Sequence, residues 1–91
     1  FGPAIQTLAG GRIIGGVYRI PAIHNAVHGV MTNTAPVDAY RGAGRPESAY
    51  IMERLLEAAA RELNLSVDEI RRRNLLTPAE LPHDNGLGLT F

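Results

Sequence analysis

The sequence predicts an α+β fold in which two consecutive helices pack on a short antiparallel β element. Residues 46–74 follow a helical pattern that is interrupted once, and residues 17–32 are rich in valine, isoleucine and tyrosine, which favour strands. The segment between them, 33–45, is predicted to be a loop because it contains proline and two closely spaced glycines. With 91 residues, the chain can form one small domain with a single modest core.

Segment 1–16 is interpreted as the end of a helix followed by a glycine loop. Ile5 and Leu8 stand three residues apart, as they would on one face of a helix. Gly10 and Gly11 follow, and we expect the helix to stop there because glycine is a poor helix former.

Segment 17–32 is predicted to be β-rich. Pro21 divides it, since proline has no N–H to donate to a sheet ladder. We therefore expect a short strand at 17–20 and a second strand at 26–32, which together form the antiparallel element.

Residues 46–63 predict an amphipathic helix. Pro46 suits its first turn, where the N–H that proline lacks would have no partner in the helix. The spacing of the apolar residues places a stripe on one face, and we expect Leu55 and Ala59 within it to face the core. The residues of this stripe are Ile51, Met52, Leu55, Ala59 and Leu63.

A second helix is predicted to follow and to end at Asn74. Ser66 and Glu69 have the spacing of a capping box, which supplies partners for N–H groups at a helix start. Arginines 71–73 fall in the last turn, where positive charge complements the helix dipole, and we interpret them as a solvated helix end. Segment 75–91 contains proline and glycine and is predicted to be an irregular tail.

Composition excludes several classes of function. Nine basic residues balance nine acidic residues, so the chain has no electrostatic signature of a protein that binds nucleic acid or an anionic membrane. Its apolar runs are far shorter than the roughly 20 residues that span a bilayer. The chain has no cysteine, which excludes disulfides, thiolate metal ligands and cysteine nucleophiles within it.

The histidines do not predict a metal site. His24 and His28 are four residues apart, a spacing that can bind one ion when both lie on a helix. In the extended chain that the local composition favours, this spacing separates them by roughly 13 Å. His83 stands alone in the tail and is interpreted as a surface residue. We therefore predict no metal ligand, and no pair of carboxylates suggests acid–base catalysis.

The stretch DAYRGAGRPESAY, residues 38–50, has the parts of an anion-binding loop. Gly42 and Gly44 would let backbone N–H groups approach a ligand, and the helix that follows adds a partial positive charge. Arg41 and Arg45 could supply charged donors. The stretch lacks the third glycine of a dinucleotide fingerprint and the Gly-Lys-Ser/Thr of a P-loop. These residues alone leave a structural turn and a binding site equally open.

A wider stretch resembles a known family. Residues 32–76, TNTAPVDAYRGAGRPESAYIMERLLEAAARELNLSVDEIRRRNLL, are similar to the large, molybdopterin-binding subunit of the molybdenum hydroxylases, the xanthine dehydrogenase and aldehyde oxidase family. The segments VYRIPAI and LPHDNGLGLTF, before and after it, resemble the same subunit. The resemblance covers nearly the whole chain and implies that residues 1–91 are a fragment of a larger molybdopterin-binding domain.

The resemblance also implies an activity and its cofactors. Members hydroxylate a small-molecule substrate, such as an aldehyde or an N-heterocycle, with oxygen derived from water. The expected cofactor is molybdopterin, as the cytosine dinucleotide or a related form, with iron–sulfur centres and FAD on other subunits or domains. The expected partners are the remainder of the large subunit and the iron–sulfur and FAD subunits. The general-base glutamate is expected elsewhere in the subunit, so this segment should hold no catalytic residue and be inactive alone. The expected compartment is the cytoplasm, with the periplasm as the alternative.

Four loop residues match the family positions that face the cofactor: Arg41, Gly42, Ala43 and Gly44. Arg41 and Ala43 would also face the substrate. Ala43 stands where xanthine-oxidising relatives carry a stacking phenylalanine, and Gly42 stands where carbon monoxide dehydrogenases carry an active-site cysteine, so the resemblance favours neither a purine nor a copper–molybdenum site. The alternative is a stand-alone structural or interaction module whose glycine loop only starts a helix.

Overall fold

A computed structural model describes residues 2–91 of the chain. The described residues form three α-helices, and α2 packs against both of the others. Two short 3-10 turns lie outside the helices, one directly before α1 and one in the C-terminal tail. In chain order, the elements are the turn Gly2–Ala4, α1 (Ile5–Ile13), α2 (Arg45–Leu63), α3 (Val67–Asn74) and the turn Pro78–Glu80.

The predicted antiparallel β element is wrong. Within residues 2–91, neither 17–20 nor 26–32 forms a strand, and the first of these segments makes only an isolated antiparallel bridge between Tyr18 and Leu75. All residues of 24–40 are exposed, in extended or bent chain. The reason is that β propensity measures how well a residue suits a paired, half-buried surface. Segment 17–20 meets only the short stretch 74–76, and 26–32 has no ladder partner in the described chain.

The end of α1 differs from the sequence expectation. The helix continues through Gly10 and Gly11 and ends at Ile13. Gly16, with φ +57°, follows the helix and adopts the left-handed conformation that usually ends one. Gly10 does not stop the helix because it is buried against another part of the chain, where the missing side chain permits close packing.

The boundaries predicted for α2 are correct to one residue at its start and agree at its end. After Leu63 the chain turns through Asn64, which has φ +55° and therefore the left-handed conformation that asparagine tolerates. The N–H of Leu65 donates to Ala60 O at 2.9 Å and the N–H of Asn64 to Arg61 O at 3.3 Å. These two bonds form a Schellman-type end that supplies partners for the last carbonyl groups of the helix.

The face of α2 that enters the core is rotated from the predicted face. The buried apolar side chains are Leu56 and Ala60 of α2, Ile70 of α3, and Tyr18 of the segment that follows α1. Leu55 is 59% exposed, so the prediction that it faces the core is wrong. Because two leucines are adjacent in the sequence, helical periodicity fits either one, and only the position of α3 decides between them. Met52 and Ala59 are half-buried and pack against the core.

The start of α3 uses half of the predicted capping box. Ser66 Oγ accepts a hydrogen bond from the Glu69 N–H at 3.1 Å, as the sequence predicts. The Glu69 carboxylate does not return to the helix start. It accepts instead from Arg73 Nε at 2.7 Å and from Arg72 Nη1 at 3.3 Å, on the outer face of the helix.

The Arg71 side chain does not extend into solvent at the end of α3, contrary to the sequence interpretation. Arg71 Nε donates to Glu53 Oε2 at 2.8 Å, and Tyr18 Oη donates to Glu53 Oε1 at 2.7 Å. The bond from Tyr18 and the Arg71 guanidinium lower the pKa of Glu53. Burial and the nearby carboxylate raise the pKa of Tyr18. Beside the apolar core, this cluster joins the segment that contains Tyr18 to α2 and to α3.

Arg19 ties the start of the tail to the helices. Arg19 Nη2 donates to Glu80 Oε2 at 2.9 Å and to Leu75 O at 3.2 Å. The same carboxylate oxygen of Glu80 accepts from the Thr77 N–H at 2.7 Å and from Thr77 Oγ1 at 2.9 Å. The Arg19 guanidinium and then the Thr77 donors lower the pKa of Glu80 to about 2.

The tail ends in a small hairpin that lies against α1. His83 and Phe91 exchange backbone hydrogen bonds of 2.9 and 2.8 Å. Arg12 Nη2 donates to Gly88 O at 2.8 Å, and Asn85 Nδ2 donates to Arg12 O at 2.7 Å. Arg12, near the C-terminal end of α1, therefore binds the hairpin through residues on both sides of its turn, Asn85 and Gly88.

The described chain exposes more surface than a complete domain of its size. Its accessible area is 6960 Å² for a mass of 9.8 kDa, whereas a compact monomer of that mass exposes about 5,200 Å². Its radius of gyration is 15.1 Å, against about 12 Å for a compact domain of this length. The three helices thus form a small core, and the exposed segment 24–40 lies outside it, hydrogen-bonded to α1 through Asn25 and Asp38.

The rotated core face of α2 can be tested by two adjacent substitutions. We expect Leu56→Ala to lower the free energy of unfolding of the 91-residue chain by about 2–5 kcal/mol, because Leu56 is only 8% exposed. Leu55→Ala, on the exposed face, should change it by about 0.5 kcal/mol or less. Urea denaturation followed by circular dichroism measures both. Equal effects of the two variants would contradict the assignment of the core face.

The Arg19–Glu80 contact should make the start of the tail sensitive to acid. Since the pKa of Glu80 is lowered from 4.5 to about 2, its stabilising effect is complete above pH 4.5 and is lost as the pH falls through about 2. The NMR titration of the Glu80 carboxyl carbon and the Thr77 N–H should show this midpoint. In Glu80→Gln the Thr77 signal should no longer follow it. A Glu80 midpoint at the ordinary value would show that the contact is absent.

Candidate functional site

The loop before α2 consists of two overlapping β-turns. The Ala43 N–H donates to Tyr40 O at 2.8 Å, and the Arg45 N–H donates to Gly42 O at 2.9 Å. The third residue of each turn is a glycine with positive φ, +83° at Gly42 and +87° at Gly44. A type II turn requires positive φ at its third position, which glycine adopts without steric cost. The spacing of the two glycines is therefore explained by two turns that share residues.

Gly44 has a second role, because its backbone touches α1. A Cβ at Gly44 would lie 2.5 Å from the Gly10 N and 3.0 Å from Gln6 O. No side chain fits in this space, so packing inside the chain requires glycine at position 44. The residue is buried and also precedes the first residue of α2.

Gly42 faces open space instead. A Cβ at Gly42 would meet only the Pro46 Cδ, at 4.0 Å. Gly42 and Ala43 are half-buried, whereas the Arg41 side chain is exposed. Of the four predicted cofactor-facing residues, Arg41, Gly42 and Ala43 thus lie together at the surface, and Gly44 lies beneath them.

The surface of this loop is rich in unpaired donors. Among residues 2–91, the N–H groups of Arg41 and Gly42 at this surface, and that of Gly44 beneath it, meet no hydrogen-bond acceptor. The guanidinium groups of Arg41 and Arg45 likewise have no carboxylate partner in the described chain. The helix dipole adds partial positive charge at the start of α2. Such a surface can bind an anion or a strong hydrogen-bond acceptor.

α1 holds the loop at both of its ends. At one end, the Ser48 hydroxyl is buried, with 4% exposure, and lies 2.8 Å from Gly10 O and 2.9 Å from Gly44 O. At the other end, Gln6 Nε2 donates to Asp38 O at 2.6 Å. Sequence reasoning missed these supporting residues, because it placed a helix stop at Gly10 and because nothing in the pattern showed that α1 meets this loop.

The loop lies on an open surface. Three open cavities of about 470, 530 and 270 Å³ occur elsewhere on the chain, and residues 41–44 line none of these three. The cavity of about 270 Å³ borders the loop through Arg45 and Ser48. The cavity of about 530 Å³ lies between the N-terminal end of α1 and segment 29–37. Residues 41–44 are therefore open to solvent and are not enclosed by these cavities.

The remaining candidate residues do not form a site. His24 and His28 lie in the exposed extended segment, and His83 is half-buried in the tail hairpin. In the part of the chain that the structure covers, residues 2–91, no group of histidines and carboxylates could hold a metal ion. Along the same residues, none of the helices has both the length and the apolar composition needed to cross a membrane.

Comparisons with known proteins agree with the resemblance seen in the loop. The family model of the molybdopterin cofactor-binding domain matches residues 1–75. The chain is 45% identical over 87 residues to the 6-hydroxypseudooxynicotine dehydrogenase complex subunit gamma of Paenarthrobacter nicotinovorans, a match that covers 96% of the chain and 11% of that relative. No solved structure gives a significant match.

Two further relatives give the same result. The chain is 38% identical over 76 residues to the nicotine 6-hydroxylase large subunit of the same organism, which covers 84% of the chain and 9% of the relative. It is 37% identical over 81 residues to the carbon monoxide dehydrogenase large chain of Hydrogenophaga pseudoflava. This match covers 87% of the chain and 10% of that relative. The chain spans about a tenth of the length of these relatives. It belongs to the molybdopterin cofactor-binding domain family, within the molybdenum hydroxylases.

Proposed function

We propose that the chain is part of the large subunit of a molybdenum-dependent oxidoreductase that hydroxylates a small molecule with oxygen derived from water. Its contribution is the loop of Arg41, Gly42, Ala43 and Gly44, which faces molybdopterin. The observation that carries this proposal is the open face above Gly42, bordered by N–H groups that have no acceptor within residues 2–91. In a chain of this family, such a face suits a cofactor.

The loop residues fit the chemistry of a pterin cofactor. Molybdopterin carries a phosphate, and the cytosine dinucleotide form carries a diphosphate, so the cofactor presents anionic oxygens and ring acceptors. Free N–H groups at a helix start and the charged fork of Arg41 are suitable donors for such atoms. When bound, the cofactor supplies two-electron redox chemistry at its metal. The loop binds and orients it, and no residue of the loop needs to exchange a proton.

Individual residues narrow the substrate. Ala43 has a single methyl group and leaves space where a larger side chain would stack on a purine ring. Gly42 provides no thiolate, so we propose a substrate other than carbon monoxide. The names of two relatives refer to nicotine or a nicotine derivative. We therefore propose an N-heterocycle as the first substrate class to test, and an aldehyde as the second.

The surface of the chain argues against the alternative of a stand-alone module. Its accessible area exceeds that of a compact protein of equal mass, and Val30 and Met31 are 77% and 96% exposed. These surfaces suit contact with the remainder of a large subunit. Two of the relatives are named as subunits, which supports other subunits as partners of this chain. We propose iron–sulfur and FAD subunits among them on the resemblance alone. A cytoplasmic location belongs to the same proposal and rests on the resemblance alone.

The role of Gly42 can be tested against a matched glycine. In the complete protein, we expect Gly42→Val to lower the molybdenum content per subunit and kcat/KM by on the order of tenfold or more, because a side chain would fill the face that the cofactor approaches. Gly86→Val is the control, since Gly86 has φ +76° and an equally open Cβ direction but lies in the tail hairpin. Both variants strain the backbone in the same way.

Metal analysis and steady-state kinetics measure these effects. Equal metal content and activity in the two variants would contradict a cofactor role for Gly42. A wild-type protein without molybdopterin would contradict the proposed function as a whole.

The role of Arg41 can be tested against Arg45. Both side chains are exposed, and neither pairs with a carboxylate of residues 2–91. We expect Arg41→Ala to lower kcat/KM by about 10- to 100-fold, the effect of losing a charged hydrogen bond, with little change in thermal stability. Arg45→Ala should change it by about twofold or less. Similar losses in both variants would show that general positive charge, rather than Arg41, serves the site.

A further inference from the structure

We propose that α1 positions the cofactor loop, and that Gly10 and Ser48 set the distance of the loop from the core. This inference rests on the proposed function. It assigns a role to residues outside the loop: Gly10 and Ser48 are positioning residues, which act through Gly44 and do not touch the cofactor themselves.

The contact between Gly10 of α1 and Gly44 of the loop joins backbone to backbone. A Cβ at Gly10 would lie 3.1 Å from Gly44 O and 3.3 Å from Ser48 Oγ, and a Cβ at Gly44 would lie 2.5 Å from the Gly10 N. Backbone cannot move aside as the end of a flexible side chain can. One added methyl group at Gly10 therefore displaces the loop, together with the first turn of α2.

The buried Ser48 hydroxyl has a carbonyl acceptor on each side of this contact, to either of which it can donate its one proton. Ser48 is buried and its hydroxyl lies within hydrogen-bonding distance of both carbonyl groups, one on each side of the contact. A buried hydroxyl without a partner would be costly, so the pair of carbonyls fixes the position of Ser48. Ser48 in turn links α1 to the loop that precedes its own helix.

α1 also holds the opposite end of the loop, at Asp38. Gln6, one turn before Gly10 on α1, donates from Nε2 to Asp38 O at 2.6 Å. Its Oε1 is buried and has no partner within residues 2–91. The loop is thus fixed to the same helix at residues 38 and 44, and the exposed residues between these points move with α1.

The neighbouring glycine provides a matched control. A Cβ at Gly11 would also be crowded, at 3.1 Å from Asn25 Nδ2 and 3.3 Å from Val27 Cγ2. These atoms belong to exposed side chains, and moving them costs at most the exposed hydrogen bond of 2.9 Å from Asn25 Nδ2 to Gly11 O. Gly10→Ala and Gly11→Ala therefore make the same chemical change one residue apart in α1, with the same gain in helix propensity. Only Gly10→Ala places its methyl group against the backbone of the loop.

The experiment compares these variants in the complete protein with its cofactor. We expect Gly10→Ala to lower kcat by about 3- to 10-fold, because the added methyl group requires a shift of a few tenths of an ångström and a displacement of about 1 Å costs roughly 10²-fold. Its molybdenum content should also fall, and the electron paramagnetic resonance signal of the reduced metal that remains should change shape. Gly11→Ala should match the wild type in kcat, metal content and signal shape. Hydrogen exchange of the loop N–H groups should increase only in Gly10→Ala.

The outcomes separate this inference from the proposed function. If Gly42→Val loses molybdenum while Gly10→Ala behaves as Gly11→Ala, the positioning role is wrong and the proposed function stands. If the wild-type protein binds no molybdopterin, both are wrong. Should Gly10→Ala fail to accumulate, Ser48→Ala replaces it, since it removes the link without adding bulk. Unchanged kcat, metal content and signal shape in Ser48→Ala would then overturn the inference.

Discussion

The contact between the backbones of Gly10 and Gly44 is the constraint on which the arrangement of this chain depends. It brings α1 against the start of α2 at a distance that no side chain at position 44 would permit. The buried Ser48 hydroxyl lies between the two carbonyls and closes the contact. α1 also contacts the tail hairpin through Arg12. One short helix therefore connects the loop before α2 with the C-terminal residues.

Charge is distributed unevenly over a chain whose net charge is zero. Arg19 and Arg71 pair with Glu80 and Glu53, and these pairs join separate segments beside the core. Within residues 2–91, Arg41 has no such partner, and it lies where the helix dipole is positive. The acidic residues of these pairs are used in structural contacts, whereas Arg41 and Arg45 at the loop have no carboxylate partner within residues 2–91.

The sequence predicted what depends on neighbouring residues and not what depends on distant ones. The bounds of α2 and the cap at Ser66 follow from local periodicity, proline and a hydroxyl at the right spacing, and both were predicted. The AYRGAG loop was also found as a candidate site, because glycine spacing and the family resemblance are local. The strands at 17–20 and 26–32 were wrong because pairing needs a partner that composition does not supply. The helix through Gly10 was missed because its reason, Gly44, is 34 positions away.

The exposed extended segment 24–40 shapes the order in which such a chain acquires its structure. Contacts between α2 and α3 are close in sequence, so they form early and independently during synthesis. The segment before them has no ladder partner in the described chain, and it leaves valine and methionine in water until another surface covers them. A product in which α2 and α3 have formed before this segment is covered therefore combines a folded helical end with an exposed apolar segment. Such a product is a substrate for chaperones and proteases.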